Sequence, residues 1–78
     1  VSRSMTGLQS ISGLECVNAL LKAGYRFVRQ KGSHIIIRRD EPFSQISIPE
    51  HKTLDRGTLR SIIRQTGLSI SEFNILLL

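Results

Sequence analysis

Two short runs that read as β-strands meet across Gly32-Ser33, and this dipeptide constrains the chain more than any other feature. Glycine enters the left-handed backbone region at little steric cost. Gly-Ser between alternating segments therefore marks a two-residue hairpin with Gly at the first position of a type II′ turn. The register follows from the turn. Lys31 and His34 close the hairpin, Arg29 lies opposite Ile36, and Phe27 lies opposite Arg38. Side chains alternate between the two faces of a strand, so one face carries Arg29, Lys31, His34 and Arg38 together.

A second turn, Asp40-Glu41-Pro42-Phe43, gives the same partition independently. If Arg39 and Ser44 close it, Ile37 faces Ile46 and Ile35 faces Ile48. Val28 joins these four isoleucines to complete the expected buried face. A slip of one residue would turn every isoleucine to solvent, so the register is strongly specified. Strands are expected over 25–31, 34–39 and 45–48, with Pro49 ending the third.

Helix signals flank the strands. Ser12 and Glu15 form a capping box that opens a helix over 13–23, with Leu14, Val17, Leu20 and Leu21 as its apolar face and Gly24 as its stop. Asp55 caps a second helix running to about 65, which buries Leu59, Ile62 and Ile63 and ends at Gly67. Ser69 and Glu72 form another capping box opening a short helix, and Phe73, Leu76, Leu77 and Leu78 are expected as core cover, with contact to a protein partner or a second copy as the alternative. The expected fold is α+β, two layers in the order αβββα with an extra C-terminal helix, the helices covering one face of a three-stranded antiparallel sheet. Residues 1–11 are expected to be a flexible lead-in and 12–78 a single domain. Val1-Ser2-Arg3-Ser4 ahead of Met5 reads as a frayed start or an expression remnant.

Charge and cysteine usage narrow the function. Eleven Lys and Arg against six Asp and Glu give a net charge of +5, which favours a polyanionic partner such as nucleic acid or an acidic protein. Cys16 is the single cysteine, so neither an intrachain disulfide nor a cysteine metal cluster can form. A reducing, cytoplasmic setting fits, with Cys16 in the core. No apolar run approaches the roughly 20 residues of a membrane span, and no secretory h-region stands at the N-terminus. No carboxylate pair has metal-site spacing, so neither metal nor cofactor is expected.

The chemistry-bearing residues each have two readings. His34 is a surface histidine closing a hairpin, or an imidazole that cleaves a phosphodiester held by Arg29 and Lys31. His51 is a loop histidine on the approach to the second helix, or a second acid–base group if the third strand's pairing runs past Pro49. Arg56, Arg60 and Arg64 recur every four residues, as a solvated helix face or as a phosphate track. Glu50, Asp55 and Glu72 are explained by turns and caps.

Several segments in order resemble a known family: Gly24-Tyr25, Arg29-Gln30-Lys31-Gly32-Ser33-His34, Ile48-Pro49-Glu50-His51, Gly57-Thr58-Leu59-Arg60-Ser61-Ile62, Gly67-Leu68-Ser69 and Glu72-Phe73. Covering about residues 12 to 77, they are similar to the HicA-type toxins of HicA/HicB toxin–antitoxin systems. The resemblance implies a small ribonuclease with a fold like the double-stranded RNA-binding domain, and His34 as the catalytic residue. It further implies cleavage of messenger RNA without a known metal requirement, and a HicB-type antitoxin as partner. On this reading Arg29, Lys31, Ser33, Arg38, Arg56 and Arg60 contact the RNA. Members often carry a second histidine directly after the catalytic one, where this chain has Ile35; lying on the buried face, it bears on packing more than on chemistry. The alternatives are a non-catalytic RNA-binding module using the same face, and a complex-forming regulator of its own operon.

Overall fold

The computed structural model describes residues 7–78. Its elements are α1 (Gly13–Lys22), β1 (Arg26–Lys31), β2 (His34–Arg39), β3 (Ser44–Pro49), α2 (Arg56–Thr66) and α3 (Ile70–Leu76). The strands form one open antiparallel sheet in the order β1-β2-β3. This is the expected α+β arrangement, αβββα with a third helix behind it. No helix among the described residues is long and apolar enough to cross a membrane.

Local chemistry sets the element ends. At α1 the Ser12 hydroxyl accepts from the Glu15 amide and the Glu15 carboxylate accepts from the Ser12 amide, both at 3.0 Å. Ser69 and Glu72 repeat this reciprocal cap at α3. Asp55 accepts from the Gly57 and Thr58 amides to open α2, and Gly67 closes that helix in the left-handed region at φ +81°. Gly32 takes φ +61°, while no non-glycine residue among those described has a positive φ. That combination is the expected type II′ geometry.

The pairing Lys31↔His34 and Arg29↔Ile36 is as expected, as are Arg39↔Ser44, Ile37↔Ile46 and Ile35↔Ile48. All four isoleucines are buried. The first strand departs from expectation beyond Arg29. A β-bulge between Phe27 and Arg29 inserts Val28 as an extra residue, so Arg26 rather than Phe27 lies opposite Arg38, and Phe27 lies opposite Ile37. A bulge breaks the strict alternation of faces. Val28 is consequently only half-buried, and Tyr25, just before the strand, is the buried residue at this end. Pro49 does not lie beyond the third strand but is its last paired residue, opposite His34.

On helix α1, Val17 and Leu20 are buried as expected, but the inward stripe is rotated away from Leu14 and Leu21. Gly13, Cys16, Val17, Ala19 and Leu20 face inward, whereas Leu14 and Leu21 are 51% and 41% exposed. The inward stripe is built of smaller side chains, which lets the helix backbone come close to the sheet. In α2, Leu59, Ile62 and Ile63 are buried as expected, and Phe73 of α3 completes the core. Leu76 and Leu77 pack partly against it, but Leu78, expected as cover with them, lies past the end of α3 and is exposed. Cys16 is wholly buried, and desolvation pushes its thiol from 9.0 up to about 12.

Part of the segment expected as a flexible lead-in belongs to the fold. Residues 1–6, including Val1–Ser4, lie outside the described residues. Leu8 packs against the core, Ile11 is 2% exposed, and the Ile11 carbonyl accepts from the Leu54 amide at 2.8 Å. The core thus begins before residue 12, because Ile11 fills space between α1 and the entry to α2.

One polar cluster orients α2. The Tyr25 hydroxyl donates to Ser44 Oγ at 2.7 Å, and Ser44 Oγ donates to the Gln65 carbonyl at 3.3 Å. Arg39 lies over the Tyr25 ring at 4.8 Å and donates to the Thr66 carbonyl at 3.2 Å. The C-terminal end of α2 therefore sits at the β2–β3 turn, and its N-terminal end lies toward Pro49 and His34.

Candidate nucleic-acid interface

Because Ile35 and Ile37 point into the core, His34, Ile36 and Arg38 point out of the sheet's uncovered face. Cross-strand pairing arranges this face in three rows: Lys31–His34–Pro49, Arg29–Ile36–Ser47 and Arg26–Arg38–Gln45. Successive rows are roughly 7 Å apart, the length of two strand residues. Lys31, His34 and Arg29 are exposed, and Ile36 is half-buried between the charged rows. The Lys31 and His34 Cβ atoms, as direct partners, lie about 5 Å apart. Among the described residues neither Arg29 nor Lys31 forms a salt bridge. Both charges remain available to an anion.

The third row differs. Arg38 Nε lies 3.2 Å from Asp40 Oδ1, and Arg26 Nη2 lies 3.3 Å from Asp40 Oδ2. Two guanidinium groups thus share one carboxylate. Arg26 is the residue that sequence reasoning missed. A strict two-residue alternation puts Phe27 there, and nothing in Phe27-Val28-Arg29 announces a bulge; the nearest signal is Asp40, an acidic group two residues after Arg38.

The hairpin end is pinned through backbone and amide contacts. Gln30 Nε2 donates to Glu50 Oε1 at 2.6 Å and to the Gly32 carbonyl at 3.1 Å. The Glu50 amide donates to the Ser33 carbonyl at 2.6 Å. Glu50 therefore ties the end of β3 to the turn, supporting the end of the sheet where His34 starts the central strand. Ser33 itself is exposed at the turn.

The remaining expected residues lie elsewhere. His51 is exposed and lines a groove of about 200 Å³ with Ser12, Leu14, Glu50 and Lys52. None of the outward-facing residues of the three rows lines that groove. The His51 carbonyl accepts from the Gly13 amide at 2.9 Å, which serves the junction of loop and helix. Arg56, Arg60 and Arg64 are exposed on α2, which belongs to the helix layer behind the sheet. Of the three, Arg56 lies nearest in sequence to the helix end that approaches the His34 side. Among the described residues no group of three or more His, Cys, Asp and Glu side chains is placed to hold a metal ion.

Compared with known families, the sequence matches the family model described as the HicA toxin of bacterial toxin-antitoxin over residues 13–68. The match runs from α1 through the end of α2 and contains all three rows of the uncovered face. No curated protein and no solved structure matches the chain.

Proposed function

Because the chain belongs to the HicA family of toxins from bacterial toxin–antitoxin systems, we propose that it is a ribonuclease that cleaves messenger RNA on the uncovered face of its sheet, with His34 as the catalytic residue. The observation that carries this reading is the Lys31–His34 pair, a titratable imidazole held beside an unpaired cation at the pinned end of a hairpin. Metal-free cleavage needs a base to take the 2′-hydroxyl proton. The 2′-oxygen then forms a bond to phosphorus, the bond to the 5′-oxygen breaks, and that leaving oxygen takes a proton. Imidazole can carry out either proton transfer near neutral pH. Lys31 and Arg29 stabilise the negative charge that builds on the phosphorane. The products are a 2′,3′-cyclic phosphate and a 5′-hydroxyl.

A HicB-type antitoxin is the proposed inhibitor, and it acts by keeping RNA from this face. The net charge of +5 favours an acidic covering surface. A cytoplasmic site of action follows from the substrate. The deciding experiment incubates purified protein with end-labelled messenger RNA, with and without EDTA, for the native chain and His34→Ala. Cleavage that survives EDTA and disappears in a folded His34→Ala protein supports the reading. Full cleavage by His34→Ala removes it.

A further inference from the structure

The uncovered face carries a second cationic centre, two rows from His34, that the cleavage chemistry does not use. Arg26 and Arg38 are cross-strand partners and reach the same Asp40 carboxylate, at 3.3 and 3.2 Å. Only the Val28 bulge makes them partners: without it, Phe27 would stand opposite Arg38. Asp40 and Arg26 are 66% and 52% exposed; Arg38 is 35% exposed, and its Nε is buried and makes no hydrogen bond even at 3.2 Å from Asp40. Ion pairs this exposed contribute little, and a competing anion displaces them readily. The carboxylate occupies the place between two guanidinium groups that a phosphate would take. Arginine forks recognise carboxylate and phosphate with the same geometry.

The bulge also completes a column. Along β1, the outward residues of the three rows are Lys31, Arg29 and Arg26, all cationic. On β2 the rows repeat every two residues, at His34, Ile36 and Arg38, and the bulge keeps Arg26 level with Arg38 although it stands three residues from Arg29; a dipeptide has as many backbone bonds as one sugar–phosphate unit. An extended single strand lying along β1 therefore presents one phosphate to each row, with little stretching.

Resting on the reading of this face as an RNA-cleaving site, we propose that Arg26 and Arg38 form a distal phosphate subsite for single-stranded RNA, about 13 Å from His34 along the strand direction, with Asp40 as the placeholder that the phosphate displaces. The strand runs along β1, its scissile phosphate at Lys31–His34, the next on Arg29, and a third between Arg26 and Arg38. Arg26 and Arg38 are positioning residues; they touch the substrate away from the broken bond.

The test measures binding of fluorescein-labelled oligo(2′-O-methyluridine), which lacks the nucleophilic hydroxyl and so cannot be cleaved through the 2′-oxygen. A dinucleotide and a hexanucleotide are compared across a salt series. Arg26→Ala weakens the hexanucleotide about tenfold and lowers the slope of log affinity against log salt by about 0.7, the contribution of one single-strand phosphate contact. The dinucleotide, too short to span the rows, binds Arg26→Ala as it binds the native chain. Arg26→Lys recovers most of the slope, Asp40→Asn tightens the hexanucleotide, and Lys22→Gln, on α1, changes neither. An unchanged hexanucleotide affinity in Arg26→Ala, with Arg29→Ala and Lys31→Ala weakened, overturns the distal subsite and leaves the proposed function standing. If Arg29→Ala and Lys31→Ala are silent as well, the sheet face is not the RNA site and both readings fall. Weaker binding by Asp40→Asn overturns the placeholder role. Circular dichroism of each variant confirms that exposed substitutions have left the fold in place.

Discussion

Gly13 at the start of α1 approaches the Pro49 carbonyl so closely that a β-carbon at position 13 would overlap its oxygen. Pro49 is in turn the cross-strand partner of His34, so the first helix bears directly on the strand end behind the proposed catalytic residue. Gly13→Ala gains at most about 1 kcal/mol in helix propensity. The contact it must relieve is with backbone, not with a flexible side-chain tip, and overpacking of this kind costs about 1–3 kcal/mol or more. We expect a net loss of stability and a melting temperature lower by several degrees, measured by thermal unfolding. A melting temperature equal to the native value would show that the helix stands further from β3 than the structure has it.

Lys31 and Arg64 carry the same charge in different places. Lys31 pairs with His34, while Arg64 lies in the last turn of α2, toward the opposite end of the sheet. Lys31→Ala should lower the rate of messenger RNA cleavage by about a hundredfold, the scale for removing one transition-state charge donor. Arg64→Ala should lower it much less. Equal losses from the two variants would point to general electrostatic attraction instead of a local role for Lys31.

The buried thiol makes stability sensitive to alkali. Cys16 is raised from 9.0 to about 12 in the folded chain, so the unfolded chain releases its proton first. The stability this group contributes is fully present below pH 9 and is lost as pH rises toward 12. The native chain should therefore lose stability relative to Cys16→Ala above pH 9, by up to about 1.4 kcal/mol per pH unit. Urea titrations of both proteins at neutral and alkaline pH measure the difference. A gap that stays constant across that range would contradict the burial of the thiol.

Inhibition can be mapped by hydrogen exchange. A HicB-type antitoxin acting by occlusion should slow exchange in β1, β2 and the Gly32-Ser33 turn, or across the basic face of α2. Protection confined to α1, which lies in the layer behind the sheet, would replace steric occlusion with an indirect mechanism.

What could be read from the chain and what could not divide along physical lines. The caps at Ser12, Asp55 and Ser69 and the turn at Gly32-Ser33 are written in contacts between residues at most three apart, so local chemistry specifies them. The register of β2 against β3 was legible because Ile35, Ile37, Ile46 and Ile48 can share one face in one alignment only. The bulge at Val28 was not legible, since Phe27, Val28 and Arg29 satisfy an unbroken alternation equally well; the choice is made by Tyr25 packing into the core and bonding Ser44. On α1, Val17 and Leu20 were read correctly, but Leu14 and Leu21 were placed inward on their hydrophobicity, whereas close approach to β3 favours Gly13, Cys16 and Ala19. Of the candidate site, Lys31, His34 and Arg29 were grouped correctly on one face. The pairing of Arg26 with Arg38 depended on the bulge and could not be seen.

That same bulge bears on how the molecule avoids itself. A sheet edge offers unsatisfied amides and carbonyls to any strand of matching length, and flat apolar edges recruit copies of their own kind. Along β1 the ladder is interrupted at Val28, and the flanking outward positions are Arg26, Arg29 and Lys31. Two copies meeting edge to edge here would stack cation against cation across a kinked seam. A chain with so small a core could therefore be made at high concentration without its sheet growing by accretion through this edge, and a strand added there from another protein would have to bring acidic side chains with it.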